Sequence, residues 1–407
     1  MNVLHINSYN IKGGAETVFN ITRKNEKVVN YSGFVRTAGK EKPDINFLSW
    51  ETDNPLIGAI NYIYSIQNKN NLDKFLSAND IHIIHLHGFF SSISPSILST
   101  IKHHKKRKNI KVVQTLHDFH LLCPNGGLYN FNKNIICEKC INKKVKYSIF
   151  FNNCDRRGLI YSTIKGFRSL ISNNLLHHEK IVDKFICPSK FIQNKLIESG
   201  VDPNKLELIR NPVIITETKP QGTKDNIICY FGRLSKEKNL DFLINTFSYW
   251  KQITSNNFKL FIIGSGEERE NLLNIRNKSN CKEEIFFFSY MPFNELLKKL
   301  IDVKYFALTS KCYEVAPMSV IEALSINILP IVPNIGGMKE SIELINNIGA
   351  VYEAGNKDSW ISAINNLETN YTHKMSELSE NKNEILNKLS VQNYLNKISN
   401  LYYSLMT

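Results

Sequence analysis

No uncharged apolar run in this chain approaches the ~18 residues that a membrane-spanning helix needs. No Gly-x-Gly-x-x-Gly follows an apolar strand-like run, so a dinucleotide-dependent oxidoreductase is poorly supported. There is no repeat of 20–50 residues, and no low-complexity tract beyond the basic stretch Lys102 to Lys111. The first residues, Met1 to Asn7, lack a basic segment followed by an apolar core. They do not read as a secretory signal, and a cytoplasmic address is expected. Eight cysteines in such a chain are expected as thiols or metal ligands.

What is present fits a soluble multidomain protein. The 407 residues suggest two domains, or three, and are 42% hydrophobic and 22% charged. The excess of 51 basic over 37 acidic residues gives +14. That points to an anionic partner: nucleic acid, a phosphorylated substrate or a membrane surface. A composition rich in Lys, Asn and Ile is the competing source of the excess.

Short apolar runs alternate with stretches of helical periodicity. Strands are expected near 3–7, 45–50, 81–87, 112–116, 184–187 and 206–209, then near 226–232, 258–263, 284–288, 304–308, 328–332 and 349–352. Most are β-branched or aromatic without alternation, as for parallel strands buried on both faces. The reading is α/β: two doubly wound units, residues 1–212 and 226–385. The Pro- and Thr-rich stretch 213–225 reads as their linker, and 386–407 as a final helix.

Ligands of doubly wound sheets bind beyond the carboxyl ends of the strands. There this sequence places Gly13-Gly14, His85, His87, His117-Asp118, Gly232-Arg233, Gly264-Ser265-Gly266 and the segment Lys311 to Pro317. Two such rims suggest a cleft between the domains. Gly13-Gly14 would let amides approach an anion at a helix start. Arg233 and Lys238 would neutralise a diphosphate, the competing reading being a solvated charge run. Glu314 and Glu322, separated by seven residues, offer carboxylates for vicinal hydroxyls. Ser319 and Glu322 also have the form of a capping box. His117 is expected in a polar wall with His85, His87 and His120. The chain has no Asp-x-Asp, so a leaving diphosphate would be met by Arg233, Lys238 and a helix N-terminus.

Taken together these residues resemble glycosyltransferase family four, of GT-B fold. Tyr313 to Ala323 resembles that family's E-x7-E element, Phe231-Gly232-Arg233 with Lys238 its donor-phosphate motif, and Gly264-Ser265-Gly266-Glu267 its GxG turn. Asp80 to His87, Thr115 to Asp118, Cys187-Pro188-Ser189 and Asn211-Pro212 are similar to its other elements. The resemblance implies two Rossmann-like domains facing a cleft, with the last helix crossing back to the first. It implies donor binding by Gly13, Gly14, Arg233, Lys238, Gly264, Gly266, Glu314, Val315, Ala316, Pro317, Met318 and Glu322. His117, Glu314, Arg233 and Lys238 would be the catalytic set. Val315-Ala316-Pro317 stands where many relatives have Phe-Gly.

An insert over about 121–175 has its own chemistry. Cys123, Cys137, Cys140 and Cys154, with one CxxC, could close a structural zinc site; unligated thiols and disulfides are the alternatives. Lys143, Lys144, Lys146, Arg156, Arg157, Lys165 and Arg168 are interleaved with aromatic and apolar residues. With Lys102 to Lys111 they would form a basic face suited to an anionic membrane.

The expected function is retaining, metal-independent transfer of a hexose from a nucleotide sugar, UDP favoured over GDP. The acceptor would be a polyprenyl-diphosphate-linked glycan of O-antigen, lipopolysaccharide, capsule or exopolysaccharide synthesis, at the inner face of the cell membrane. A GT-B epimerase or phosphorylase is the nearer alternative, and a zinc-containing nucleic-acid binder the remote one.

Overall fold

The non-alternating apolar runs do form parallel strands buried on both faces. The computed structural model describes residues 1–11, 13–37, 41–214 and 224–407, apart from the side chains of 293 and 294. They divide into two units, Met1–Pro212 with Val391–Thr407, and Val213–Ser390. The linker expected over 213–225 falls, from 215 to 223, outside the described residues.

In the first unit the strands are β1 (Asn2–Ile6), β2 (Val29–Val35), β3 (Ile45–Phe47), β4 (Ile83–Leu86) and β5 (Lys111–Thr115). A small antiparallel hairpin, β6 (Tyr129–Asn130) with β7 (Ile135–Ile136), lies in the insert. β8 (Lys184–Cys187) and β9 (Leu206–Leu208) complete a seven-stranded sheet of order β3-β2-β1-β4-β5-β8-β9. All its pairings are parallel. Its register sets His5 beside both Ser32 and His85.

Among the strands of the two parallel sheets, β2 is the one that the apolar pattern does not show. Val29-Asn30-Tyr31-Ser32-Gly33 mixes polar and apolar residues, because its polar groups serve inside the fold. Asn30 Oδ1 bonds His5 Nε2 at 2.9 Å, and the Ser32 amide donates to Asp44 Oδ2 at 2.7 Å.

The second unit holds β10 (Asp225–Phe231), β11 (Lys259–Ile263), β12 (Ile285–Phe288), β13 (Val303–Ala307), β14 (Leu329–Pro333) and β15 (Ala350–Tyr352). They form a parallel sheet of order β12-β11-β10-β13-β14-β15. Its core gathers Ile228, Leu260, Phe306, Ile331, Leu243, Phe247 and Trp360, all fully buried. Burying one such aliphatic or aromatic side chain is worth about 1.5–3 kcal/mol.

The helical pattern expected over 386–407 is two helices, Tyr371–Lys388 and Val391–Met406. They are separated where Ser390 bridges to Val213 and the Val213 amide donates to Leu389 O. The second helix packs on the first unit. Tyr394 Oη bonds Thr22 Oγ1 at 2.8 Å, Asn25 Nδ2 donates to Ser399 Oγ at 2.9 Å, and Tyr402 Oη meets His85 Nδ1 at 2.5 Å. Among the described residues no helix is long and apolar enough to cross a membrane.

Candidate functional site

In each sheet the strand order turns back once, between β1 and β4 and between β10 and β13. Crossover connections leave on opposite faces at such a point and open a crevice beyond the strand ends. The chemistry of this chain collects at both points.

Beyond β10 and β13, Lys238 Nζ pairs with Glu314 Oε1, and both side chains are about four-fifths buried. Ser310 Oγ donates to the same carboxylate oxygen at 2.8 Å. Burial opposes the Lys238 charge, but the Glu314 carboxylate, with Tyr230 and Cys312 beside it, holds the ammonium above the ordinary lysine range. The loops that carry the pair are tied together: Thr309 Oγ1 donates to Lys238 O at 2.8 Å, and Lys311 N to Glu237 O at 3.0 Å. Arg233 Nη2 is held at 2.5 Å by Glu237 Oε1, a carboxylate buried in the fold. The Arg233 side chain itself remains 60% exposed, so an anchored guanidinium faces solvent.

Glu322 lies on the helix Met318–Ser325, one turn beyond the Glu314 loop. That helix is capped at Pro317 with no side-chain cap bond, so the capping box of Ser319 and Glu322 is not formed. Glu322 is mostly buried, and burial alone pushes its carboxyl up to about 7. Among the described residues no side chain or amide is bonded to it. Val315, Ala316, Pro317 and Met318 run from Glu314 into the helix start, with their side chains half-buried or, at Pro317, buried.

Gly264 and Gly266 are held by close backbone packing. A Cβ at Gly264 would stand 1.9 Å from Gly232 O, and one at Gly266 2.1 Å from Leu234 O. Both lie at positive φ, at +147° and +157°. The two loops therefore pack backbone on backbone, with the Leu234 amide on Ser265 O at 2.9 Å, and this fixes the loop of Arg233. The sequence reading missed an equivalent pair, Gly336-Gly337, at the start of the helix Gly336–Leu344. A Cβ at Gly337 would meet Val315 O at 2.2 Å, and the Gly337 amide donates to Glu314 O at 2.8 Å. A Gly-Gly pair between a strand and a helix, as at Gly13-Gly14, was the available signal.

In the first unit, Gly13 caps the helix Gly14–Thr22 at φ −170°, an extended conformation open to any residue. Among the described residues a Cβ there would find only Glu16 Oε2, at 3.7 Å. Neither conformation nor the packing of the described residues demands this glycine.

His85 and His87 do not line a wall. They are buried with His5, and one ring nitrogen from each of the three comes within 4.8 Å of the others. Burial keeps all three neutral: it lowers His5 to about 4 and the other two well below the usual range. A metal ion is a poor fit here. Both nitrogens of His85 are engaged, by Tyr402 Oη and by Thr115 Oγ1 at 2.8 Å. The rings of His85 and His87 stack at 4.3 Å and 28°, so their in-plane lone pairs run side by side instead of converging.

His117, beyond β5, is half-buried, and its Nε2 lies 3.1 Å from His87 Nδ1. Burial lowers it to about 4, opposed by the charge of Asp118. Asp118 in turn pairs with His120 Nδ1 at 2.7 Å.

The insert corrects the basic face. Lys146 is buried and donates to Cys140 O at 2.7 Å. Lys165 pairs with buried Asp155 at 2.6 Å. Arg168 is buried, donates to Phe90 O at 2.6 Å and lies 4.3 Å from the centre of the Tyr62 ring. These cations satisfy internal acceptors, a duty that composition does not reveal. Lys139, Lys143, Lys144, Arg156 and Arg157 remain exposed. Beside them Phe151, Ile160 and Tyr147 are exposed, as are Leu56, Ile57 and Ile60 on the helix Pro55–Ile63, which packs on Leu159–Ser169.

The four insert cysteines are free thiols in one neighbourhood, Cys140 feeling the charge of Cys123, Cys154 and Cys137. Burial pushes Cys140 and Cys154 up to about 12. The grouping of ligand atoms within 4.8 Å found among the described residues is the histidine one and not this one.

The chain matches the family model for glycosyl transferases group 1 over residues 215–384, and that for glycosyltransferase family 4 over residues 34–217. It is 23% identical over 227 residues to an uncharacterised glycosyltransferase of Methanocaldococcus jannaschii, covering 55% of this chain and 57% of that one. The chain spans about half the length of the curated relatives it matches. Among solved structures, Anabaena HepE in complex with UDP-glucose has a TM-score of 0.69 at 14% identity, covering 99% of this chain and 100% of that one. The lipopolysaccharide outer core galactosyltransferase WaaB has a TM-score of 0.64 at 16% identity, covering 99% of each chain.

Proposed function

We propose that this chain, a GT-B-type glycosyltransferase by its two family matches and its fold, transfers a hexose from a nucleotide sugar with retention of configuration. The observation that carries the reading is Glu322: a mostly buried carboxylate with no partner among the described residues, one turn beyond the Lys238–Glu314 pair. A ribose diol supplies the two donors it lacks. Arg233 and Lys238 hold the diphosphate, with the amides of Val315 to Met318 beside it. His117 contacts the transferred sugar, and Gly13 and Gly14 leave space for the phosphates.

In the step itself the bond from the anomeric carbon to the diphosphate oxygen breaks. The acceptor oxygen bonds that carbon on the same face, and the acceptor proton passes to the leaving phosphate. Arg233 and Lys238 stabilise the charge that develops there, so neither a metal ion nor a protein base is required. UDP is the favoured nucleotide, since the neighbour HepE was solved with UDP-glucose.

Titration tests the Glu322 assignment. The carboxyl is protonated below about pH 7 in the free protein. A bound diol favours the carboxylate, so binding releases a proton at lower pH. Affinity for UDP-glucose should rise with pH from 5.5, by up to about tenfold per pH unit, and level off above 7. Glu322→Gln should flatten the profile and weaken binding about tenfold. A flat wild-type profile by calorimetry would remove Glu322 from the nucleotide site.

The acceptor is read as a lipid-linked glycan of bacterial surface polysaccharide, reached from the inner face of the membrane. Exposed Phe151 and Ile160 beside Arg156 and Arg157 support this. Sedimentation with anionic vesicles should fall at least about tenfold in a Phe151→Ser, Ile160→Ser double variant, given about 0.8 kcal/mol per buried methylene. Equal sedimentation of both proteins would remove the membrane face. A structural zinc on the four cysteines would require the sulfurs to draw together. Metal analysis of the purified chain decides: one zinc per chain supports that site, and none leaves packed thiols.

A further inference from the structure

Two ring nitrogens of the buried histidine cluster have no partner among the described residues, and they fix where the protons lie. Asn30 Nδ2 donates to Asn25 O at 2.8 Å and to Val28 O at 3.1 Å, so its Oδ1 is the atom turned to His5. His5 Nε2 is therefore the donor, and its unpartnered Nδ1 is a bare acceptor.

The same logic applies one residue outward. His87 Nδ1 and His117 Nε2 share one proton across 3.1 Å, and His87 Nε2 is buried with no partner. If His117 were the donor, His87 would carry its own proton on Nε2, a buried N–H without an acceptor. If His87 is the donor, its Nε2 is only a bare lone pair. Orphaned buried N–H groups are the rarer of the two defects, because a desolvated donor loses more.

We infer that His87 is a positioning residue: its Nδ1–H donates to His117 Nε2, which leaves His117 with its proton on Nδ1, as a neutral hydrogen-bond donor toward a sugar oxygen and not as a base. The stack of His85 on His87 at 4.3 Å and the edge of Phe19 at 5.4 Å hold the His87 ring against reorientation. Burial, which keeps both histidines neutral, agrees with this arrangement. The role in transfer rests on the function proposed above; the tautomer does not.

The test separates the two. Full-length protein labelled with 15N-histidine, at neutral pH without ligand, should show His117 as the Nδ1–H tautomer in two-bond proton–nitrogen correlations. The signal is identified by its loss in His117→Asn. In His87→Leu the preference should vanish. In His87→Asn, whose amide N–H can take the place of Nδ1–H, it should persist. An Nε2–H signal for His117 in the wild type, or an unchanged tautomer in His87→Leu, overturns the inference. Because wild-type spectra decide the first point, a variant that fails to fold does not shield the claim. With a donor that supports turnover, kcat should fall about tenfold in His87→Leu with KM for the donor little changed, and should recover in His87→Asn. Loss of kcat in both variants alike would mean a merely structural role. A wild type inactive with every nucleotide sugar would remove the proposed function and leave the tautomer standing.

Discussion

Lys238→Ala should lower turnover by about 10²–10³-fold, the range found when one stabilising group is removed from developing transition-state charge. The structure gives the variant a second consequence. Lys238 is the ion-pair partner of Glu314, and both are largely buried. Without the ammonium, Glu314 becomes an unpaired carboxylate beside an anionic leaving group, and the two repel. Lys238→Met isolates the charge from the stem, since it keeps the apolar length. A double variant, Lys238→Met with Glu314→Gln, removes both charges. It should fold better than the single variant, because no lone buried charge is left, while turnover stays low. Near-normal rates in Lys238→Ala, measured with saturating donor, would remove Lys238 from the diphosphate site.

The second large effect comes from backbone packing and needs no ligand. Gly264→Ala should be among the most damaging single-methyl additions in the chain. Its Cβ would sit 1.9 Å from a backbone oxygen that has no flexible end to swing away, at a φ of +147° that side chains avoid. The strand-end loops must part, and the Arg233 loop moves with them. A loss of several kcal/mol, seen as a fall in melting temperature of roughly 10 °C or more, is expected. Gly13→Ala is the contrast. Its Cβ would meet the flexible end of Glu16 at an ordinary 3.7 Å, so stability should hold within about 0.5 kcal/mol, while donor use falls if the phosphates approach there. Equal melting temperatures for Gly264→Ala and the wild type would contradict the packing of the two loops.

Much of this was legible in the sequence, for identifiable reasons. Ile83-Ile84-His85-Leu86 and Ile227-Ile228-Cys229-Tyr230 read as strands because parallel sheets bury both faces and leave no alternation. The rims were legible because polar and glycine residues interrupt those runs at their carboxyl ends. β2 was not legible: Asn30 and Ser32 look like turn residues until His5 and Asp44 are seen to need them. Nor could composition separate Arg168, which is buried over Tyr62, from exposed Arg156 in the same basic run. Sequence counts charges, whereas only three dimensions show which acceptor each one meets. The same limit applies to Gly264 and Gly13, which look alike in sequence and differ in what surrounds a Cβ.

The final helix, Val391–Met406, bears on how the chain is made. It belongs to the first unit, yet all of residues 213–390 emerge from the ribosome before it. At roughly 5–20 residues per second, that interval is on the order of ten to some tens of seconds. Through it the first sheet is complete in its strands but lacks Tyr394 over Thr22 and Tyr402 over His85. The second unit has all its own residues by Ser390 and can close while the first still waits. A chain truncated after Ser390 should therefore resist protease over its later part and be cut within its earlier part. The unit synthesised first is the one finished last.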